Sequence, residues 1–188
     1  MKHLLLISGH DRFARATGTL NRSLVTSIME ICQQQFEIKL TEVVDGYNQH
    51  EEVEKFKWAD VVIIQAPIYW FSFPGILKKY IDDVFIPELF FGKAEQFGRG
   101  GKMTDKKYML SLTWGAGRSA FQGKETDFLE GLTEDQVLFS VHKAFEYCGF
   151  TMLPTFSVHS AMQLQSLEQP IKRLHEHLLH YVVHSEIT

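Results

Sequence analysis

Two stretches, residues 3–8 and 59–65, are apolar almost throughout and show no alternation of polar and apolar positions. Runs this short suit strands covered on both faces, the condition of a parallel sheet enclosed by helices. Helical spacing follows each of them. From Thr17, Leu20, Leu24, Ile28 and Ile31 or Cys32 recur on one face. After Pro67, Ser72 offers an N-cap and Pro74 a first helical residue, and Ile76, Leu77, Tyr80, Ile81, Val84 and Phe85 form one apolar side. Residues 36–44 alternate, as a strand nearer an edge would. The spacing further predicts a strand over 107–113, a helix over 135–148, a fifth strand over 150–158 and a closing helix over 170–183.

Strands alternating with helices imply right-handed crossovers and a parallel sheet with helices on both faces. Five such strands in 188 residues predict an α/β, flavodoxin-like three-layer fold with strand order 2-1-3-4-5. Neither repeat nor linker divides the chain, so residues 1–188 read as a single domain. With 19 Lys and Arg against 23 Asp and Glu, the net charge of −4 carries no basic stripe and argues against a nucleic-acid partner. No apolar run approaches the ~18 residues of a membrane span, and the first residues lack a secretory pattern. A soluble, cytoplasmic protein without stable membrane insertion is the expectation. Cys32 and Cys148 fall in apolar helical patterns rather than in a disulfide or metal arrangement. Two connections, about residues 86–106 and 115–134, are longer than joints require.

In an open parallel sheet, ligands bind beyond the carboxyl ends of the strands. Three segments converge there. The first runs from Gly9-His10 through Arg12, Phe13, Arg15 and Thr17 to Gly18, from a strand into a helix. Free N–H groups at the helix start, the Thr17 hydroxyl and the two arginines suit a phosphate, although an ordinary strand–helix loop has the same composition. The second, Pro67-Ile68-Tyr69-Trp70-Phe71-Ser72-Phe73-Pro74, gathers aromatics at the rim, where they serve a flat conjugated ligand, a subunit interface or both. The third, Thr113-Trp114-Gly115-Ala116-Gly117, offers close backbone approach and N–H groups to an electron-rich ring edge. His175, His177, His180 and His184 read as a solvated helix face, Trp58 as packing, and Gly98–Lys102 as a mobile turn.

Stretches spread along nearly the whole chain resemble the NAD(P)H:quinone oxidoreductases among the flavodoxin-like flavoproteins, in particular their bacterial modulator of drug activity B-like group. They include Gly18-Thr19-Leu20-Asn21, Trp58–Ile63, Leu77–Phe85, Lys107–Trp114, His142-Lys143-Ala144 and Leu153-Pro154-Thr155-Phe156. The resemblance implies FAD, with FMN the alternative, at the interface of a homodimer. His10, Phe13, Thr17, Gly18, Leu20 and Asn21 would line the pyrophosphate and adenosine. Pro67, Ile68, Tyr69, Trp70 and Phe71 would border the ribityl chain and ring, and Thr113, Trp114, Gly115 and Ala116 the N1/O2 edge, with Phe121 nearby. Tyr69, Trp70, Gly115 and Phe121 are the catalytic candidates, and no metal is implied.

The implied reaction is a two-electron ping-pong transfer of hydride from NADPH or NADH through the flavin to a quinone. Backbone N–H groups around Gly115–Gly117 would stabilise the anionic reduced ring, and Phe90, Phe91 and Phe97 would roof the pocket of this or the partner subunit. The resemblance carries no proton donor. Relatives outside the bacterial group place a His two residues beyond a Gln-Gly pair, where Gln122-Gly123-Lys124-Glu125 has none. Two rival functions share the fold: an FMN-dependent azoreductase, and a regulatory flavoprotein subunit of a potassium efflux system.

Overall fold

A computed structural model of the protein describes residues 1–12 and 18–184. Its centre is a sheet in which β1 (Lys2–Ser8) lies between β2 (Phe36–Glu42) and β3 (Val61–Pro67), with β4 (Lys107–Thr113) beside β3. Every pairing is parallel, and the order β2-β1-β3-β4-β5 is the one expected from the sequence. Leu4–Ile7 and Val61–Ile64 are fully or almost fully buried, because helices cover both faces. On one side α2 (Gln49–Trp58), α3 (Gly75–Val84) and α5 (Phe139–Tyr147) pack around Phe56, Tyr80 and Phe145. On the other, α1 (Thr19–Cys32) and α6 (Glu168–Leu178) meet over Leu24, Ile28, Leu174 and Leu178. Cys32 and Cys148 are buried in these layers, and burial pushes both thiols up to about 12.

Several element boundaries differ from the sequence reading. The last strand is broken: β5 (Thr151–Met152) pairs with the start of β4, and β6 (Phe156–Val158) with its end. Pro154 lies in the gap and has no N–H to give the ladder. The expected helix over 135–148 is interrupted at Leu138, with α4 (Glu134–Val137) begun by a capping box between Thr133 and Gln136. Pro74 caps α3 instead of opening it, and Ser72 is committed to a turn with Tyr69.

The 86–106 connection lies at the amino-terminal rim of the sheet. There Lys106 Nζ donates to the carbonyls of Lys57 and Ala59, 2.8 Å from each, and the Met103 N–H bonds to Cys148 O. It therefore cannot roof this chain's own carboxyl-rim loops. Phe90 is removed from any roof, because it is fully buried and stacked on Phe85 at 4.6 Å. The Gly98–Lys102 turn shares this rim and is held in place, with the Gly92 N–H bonded to Gly100 O and Lys102 bonded to Glu88.

One buried carboxylate ties β2, α2 and α3 together. Glu52 accepts from Thr41 Oγ1 at 2.8 Å, Tyr80 Oη at 2.7 Å and Lys55 Nζ at 2.6 Å. Replacing it by Ala leaves the buried Thr41 and Tyr80 hydroxyls without their acceptor and Lys55 without its carboxylate, so Glu52→Ala should cost about 3 kcal/mol, read as a lower urea midpoint with unchanged slope.

His177 does not belong to a solvated face. Its Nε2 lies 2.9 Å from Pro154 O and its ring packs on Phe156 and Tyr181, so burial lowers its pKa. The folded protein thus prefers the neutral ring, and an unfolded chain takes up a proton that the folded one resists as pH falls through about 6.5. Stability should accordingly drop as pH falls below about 6.5, and His177→Gln should flatten that part of the urea-midpoint profile.

Candidate functional site

Register places three polar side chains in a row beneath the carboxyl rim. Ser8 pairs with Gln65, and Gln65 with Ser111, across β1, β3 and β4. Ser111 Oγ donates to Gln65 Oε1 at 2.7 Å, Gln65 Nε2 to Asn21 Oδ1 at 3.2 Å, and Asn21 Nδ2 to Ser8 Oγ at 3.0 Å. Each member is buried, so the chain of bonds satisfies groups that would otherwise be costly there. It also pins the first turn of α1 to the sheet through Asn21.

Above that row lies a cavity of about 470 Å³. His10, Gly18, Leu20 and Asn21 form one end, and Pro67, Ile68 and Tyr69 a wall; Thr113 and Gly115 stand opposite, beside Ala161 and Met162. His10 is 7% exposed, and its Nε2 has no hydrogen-bond partner among the described residues. Gly18 stands at φ +75 immediately before α1, and a Cβ there would collide with the His10 imidazole. A buried ring nitrogen without a partner at a helix start fits a ligand bearing acceptor oxygens. A Cβ on Gly115, in contrast, would meet no atom within 4 Å. A second cavity, of about 280 Å³, shares His10, Gly18 and Asn21 and extends to Arg12, Glu42 and Asp45.

The aromatic segment has an unusual backbone. Tyr69 and Ser72 exchange N–H···O bonds of 3.0 and 3.1 Å, with Trp70 at φ 51 and Phe71 at φ 62 between them. That is the type I′ pattern, in which Asn and Gly are the favoured residues. Two bulky residues in the left-handed region cost about 1 kcal/mol or more each. The turn lifts Trp70 to 93% exposure and leaves Phe71 against the exposed Phe128, 5.6 Å between centroids. Tyr69 lines the cavity as a phenol, its pKa raised by burial and by the nearby Asp11 carboxylate.

Nine of the expected residues therefore share one cavity: His10, Gly18, Leu20, Asn21, Pro67, Ile68, Tyr69, Thr113 and Gly115. Phe13 and Thr17, with Arg15, lie outside the described residues. Trp70 and Phe71 stand beyond the wall. Trp114 and Phe121 differ from expectation: both are buried, packed edge to face at 4.9 Å, and Trp114 Nε1 donates to Ser157 Oγ. They support the wall from behind: Trp114 turns into the core at the end of β4, and Phe121 does so after the turn at Arg118–Ala120. Ala116 packs against the same core. Arg12 donates to Asp45 at 2.6 Å, which commits its charge elsewhere than to a phosphate. Thr19, Ala161 and Met162 were not foreseen. The last two follow the edge strand β6, and its position at the carboxyl rim was the available signal. Among the described residues, no group of three His, Cys, Asp or Glu could hold a metal ion.

A family description, flavodoxin-like fold, matches residues 2–181. The chain belongs to the flavodoxin-like family. It is 35% identical over 187 residues to the NADPH:quinone oxidoreductase MdaB of Haemophilus influenzae, with 94% of this chain and 97% of that protein covered. Among solved structures, a quinone reductase from Klebsiella pneumoniae superposes with a TM-score of 0.78 at 22% identity, over 95% of this chain and 84% of that one. An FMN-dependent NADH-azoreductase from Bacillus anthracis in complex with FMN gives a TM-score of 0.69 at 16% identity, over 94% and 97%. These two structural likenesses show the shared fold.

The strained turn invites a direct test. Trp70→Asn combined with Phe71→Gly gives the turn its favoured residues and should raise stability by about 1 kcal/mol. Thermal unfolding of the double variant beside the wild-type protein measures the gain.

Proposed function

We propose that this protein is an FAD-dependent NAD(P)H:quinone oxidoreductase that acts as a homodimer. The observation that carries the proposal is the cavity joining an unpartnered His10 Nε2, at the start of α1, to the open backbone at Gly115. Such a space suits a ligand with phosphates at one end and a planar ring at the other. His10, Gly18, Leu20 and Asn21 would hold the phosphate side, while Pro67, Ile68, Tyr69, Thr113 and Gly115 would border the ring. The neighbouring cavity that shares His10, Gly18 and Asn21 favours a dinucleotide over a mononucleotide. The bacterial relative aligned over nearly its full length supports a quinone as acceptor.

A bound flavin supplies two-electron transfer between a nicotinamide and a quinone. The protein's part is binding, orientation and exclusion of water. His10 would donate from Nε2 to the phosphate end; its buried imidazole is held by packing against Gly18. The Gly115 backbone admits the ring edge closely because no side chain intervenes, and the Tyr69 phenol keeps its proton beside the ring at neutral pH. The exposed Trp70, Phe71 and Phe128 form an apolar rim that a second copy would cover. Phe91 and the 91%-exposed Phe97, on the opposite rim, would then be available to the other copy's pocket.

The test is to purify the protein, identify the released flavin by chromatography, and follow its spectrum. NADPH or NADH should bleach it, and menadione should restore it without oxygen. FMN in place of FAD would move the reading to an azoreductase. A bound flavin that neither nicotinamide reduces would overturn the enzyme reading in favour of a regulatory subunit.

A further inference from the structure

Behind the wall of the candidate pocket stands a titratable pair that the proposed reaction does not use. His159 follows β6 directly, and its Nε2 lies 2.9 Å from Glu134 Oε1, the first residue of α4. Both side chains are largely shielded from solvent. The His159 ring also packs on Phe121 at 5.4 Å, and Phe121 in turn packs on Trp114 at 4.9 Å. Arg118, Arg173, Asp135 and His177 share the polar cavity of about 200 Å³ beside it.

From His159 the chain enters the pocket within two residues. Ser160 is held at φ 50, and its N–H donates to Ala116 O at 2.9 Å. The Ala161 N–H donates to Trp114 O at 2.9 Å, and Ala161 and Met162 then line the cavity. These two bonds lock the 160–162 segment to the 114–116 segment around Gly115, so the pocket wall is a single hydrogen-bonded unit. A non-glycine residue in the left-handed region persists only where its surroundings hold it. The groups holding Ser160 from one side are the His159–Glu134 bond and the Phe121 contact.

We infer that His159, fastened by Glu134, is a positioning residue for the pocket wall formed by Gly115, Ala161 and Met162. It ties the far end of the 115–134 connection to the edge strand and thereby sets the width of the cleft into which a planar ring must fit. The inference rests on the flavin reading above for the identity of that ring.

The experiment compares His159→Ala, His159→Gln and a core control, Leu178→Ala, which lies on the opposite helical layer. Flavin affinity is titrated for each, and amide hydrogen exchange over residues 115–117 and 160–163 is followed in flavin-free protein. His159→Ala should weaken flavin binding by about tenfold, equivalent to about 1.4 kcal/mol, and speed exchange in both segments. His159→Gln, which can still donate to Glu134, should restore affinity to within about twofold. Leu178→Ala should lower the melting temperature while leaving affinity within about twofold. Wild-type affinity in His159→Ala, or an equal loss in Leu178→Ala, would overturn the inference alone. Failure of the wild-type protein to bind FAD or FMN would overturn the flavin reading, and this inference with it.

Discussion

The register of β1, β3 and β4 is the constraint on which the rest depends. Opposite faces of a strand are one residue apart, so a slip of one position would carry Ser8, Gln65 and Ser111 to the other helical layer. Their row would then break, and Asn21 would lose its anchors at the start of α1. The apolar residues flanking them make the correct register strongly favoured, since each strand interior is buried on both faces. Polar satisfaction and apolar burial therefore select the same alignment. That agreement gives the carboxyl rim a fixed floor.

On that floor the loops are free to depart from favourable backbone geometry. Trp70, Phe71 and Ser160 all adopt left-handed backbone conformations, and each lies within two residues of one that lines the cleft. Strain of this kind concentrates where a surface has been shaped for something other than stability. Here it places an indole in solvent and turns the chain after β6 towards the cavity.

The sheet order, the two-faced burial of β1 and β3 and the amphipathic faces of α1 and α3 were legible in the sequence, because burial on a periodic element leaves a period in the residues. The convergence of loops after β1, β3 and β4 was legible too, since strand polarity dictates it. What escaped was anything decided by tertiary partners. Trp114 and Phe121 carry aromatic rings near the rim, and composition does not say whether a ring faces the cleft or the core. Phe90 was hidden for the same reason. Ala161 and Met162 are small or flexible residues with no signature of their own, and they matter only because the Ser160 turn aims them. His177 shares its spacing with exposed histidines and differs only in having Pro154 and Phe156 above it.

The gap at Pro154 bears on how this chain avoids its own kind. A parallel sheet ending in a long, regular edge strand offers a row of unpaired backbone groups to any other extended chain, which is how aggregates are seeded. Splitting that edge into two residues of β5 and three of β6 leaves no template long enough to extend. The opposite edge, β2, keeps its seven residues but sets Glu37 and Lys39 among them. One border is thus protected by interruption and the other by charge. Converting Pro154 to a strand-forming residue would restore a ladder donor and, with it, a longer edge open to another chain.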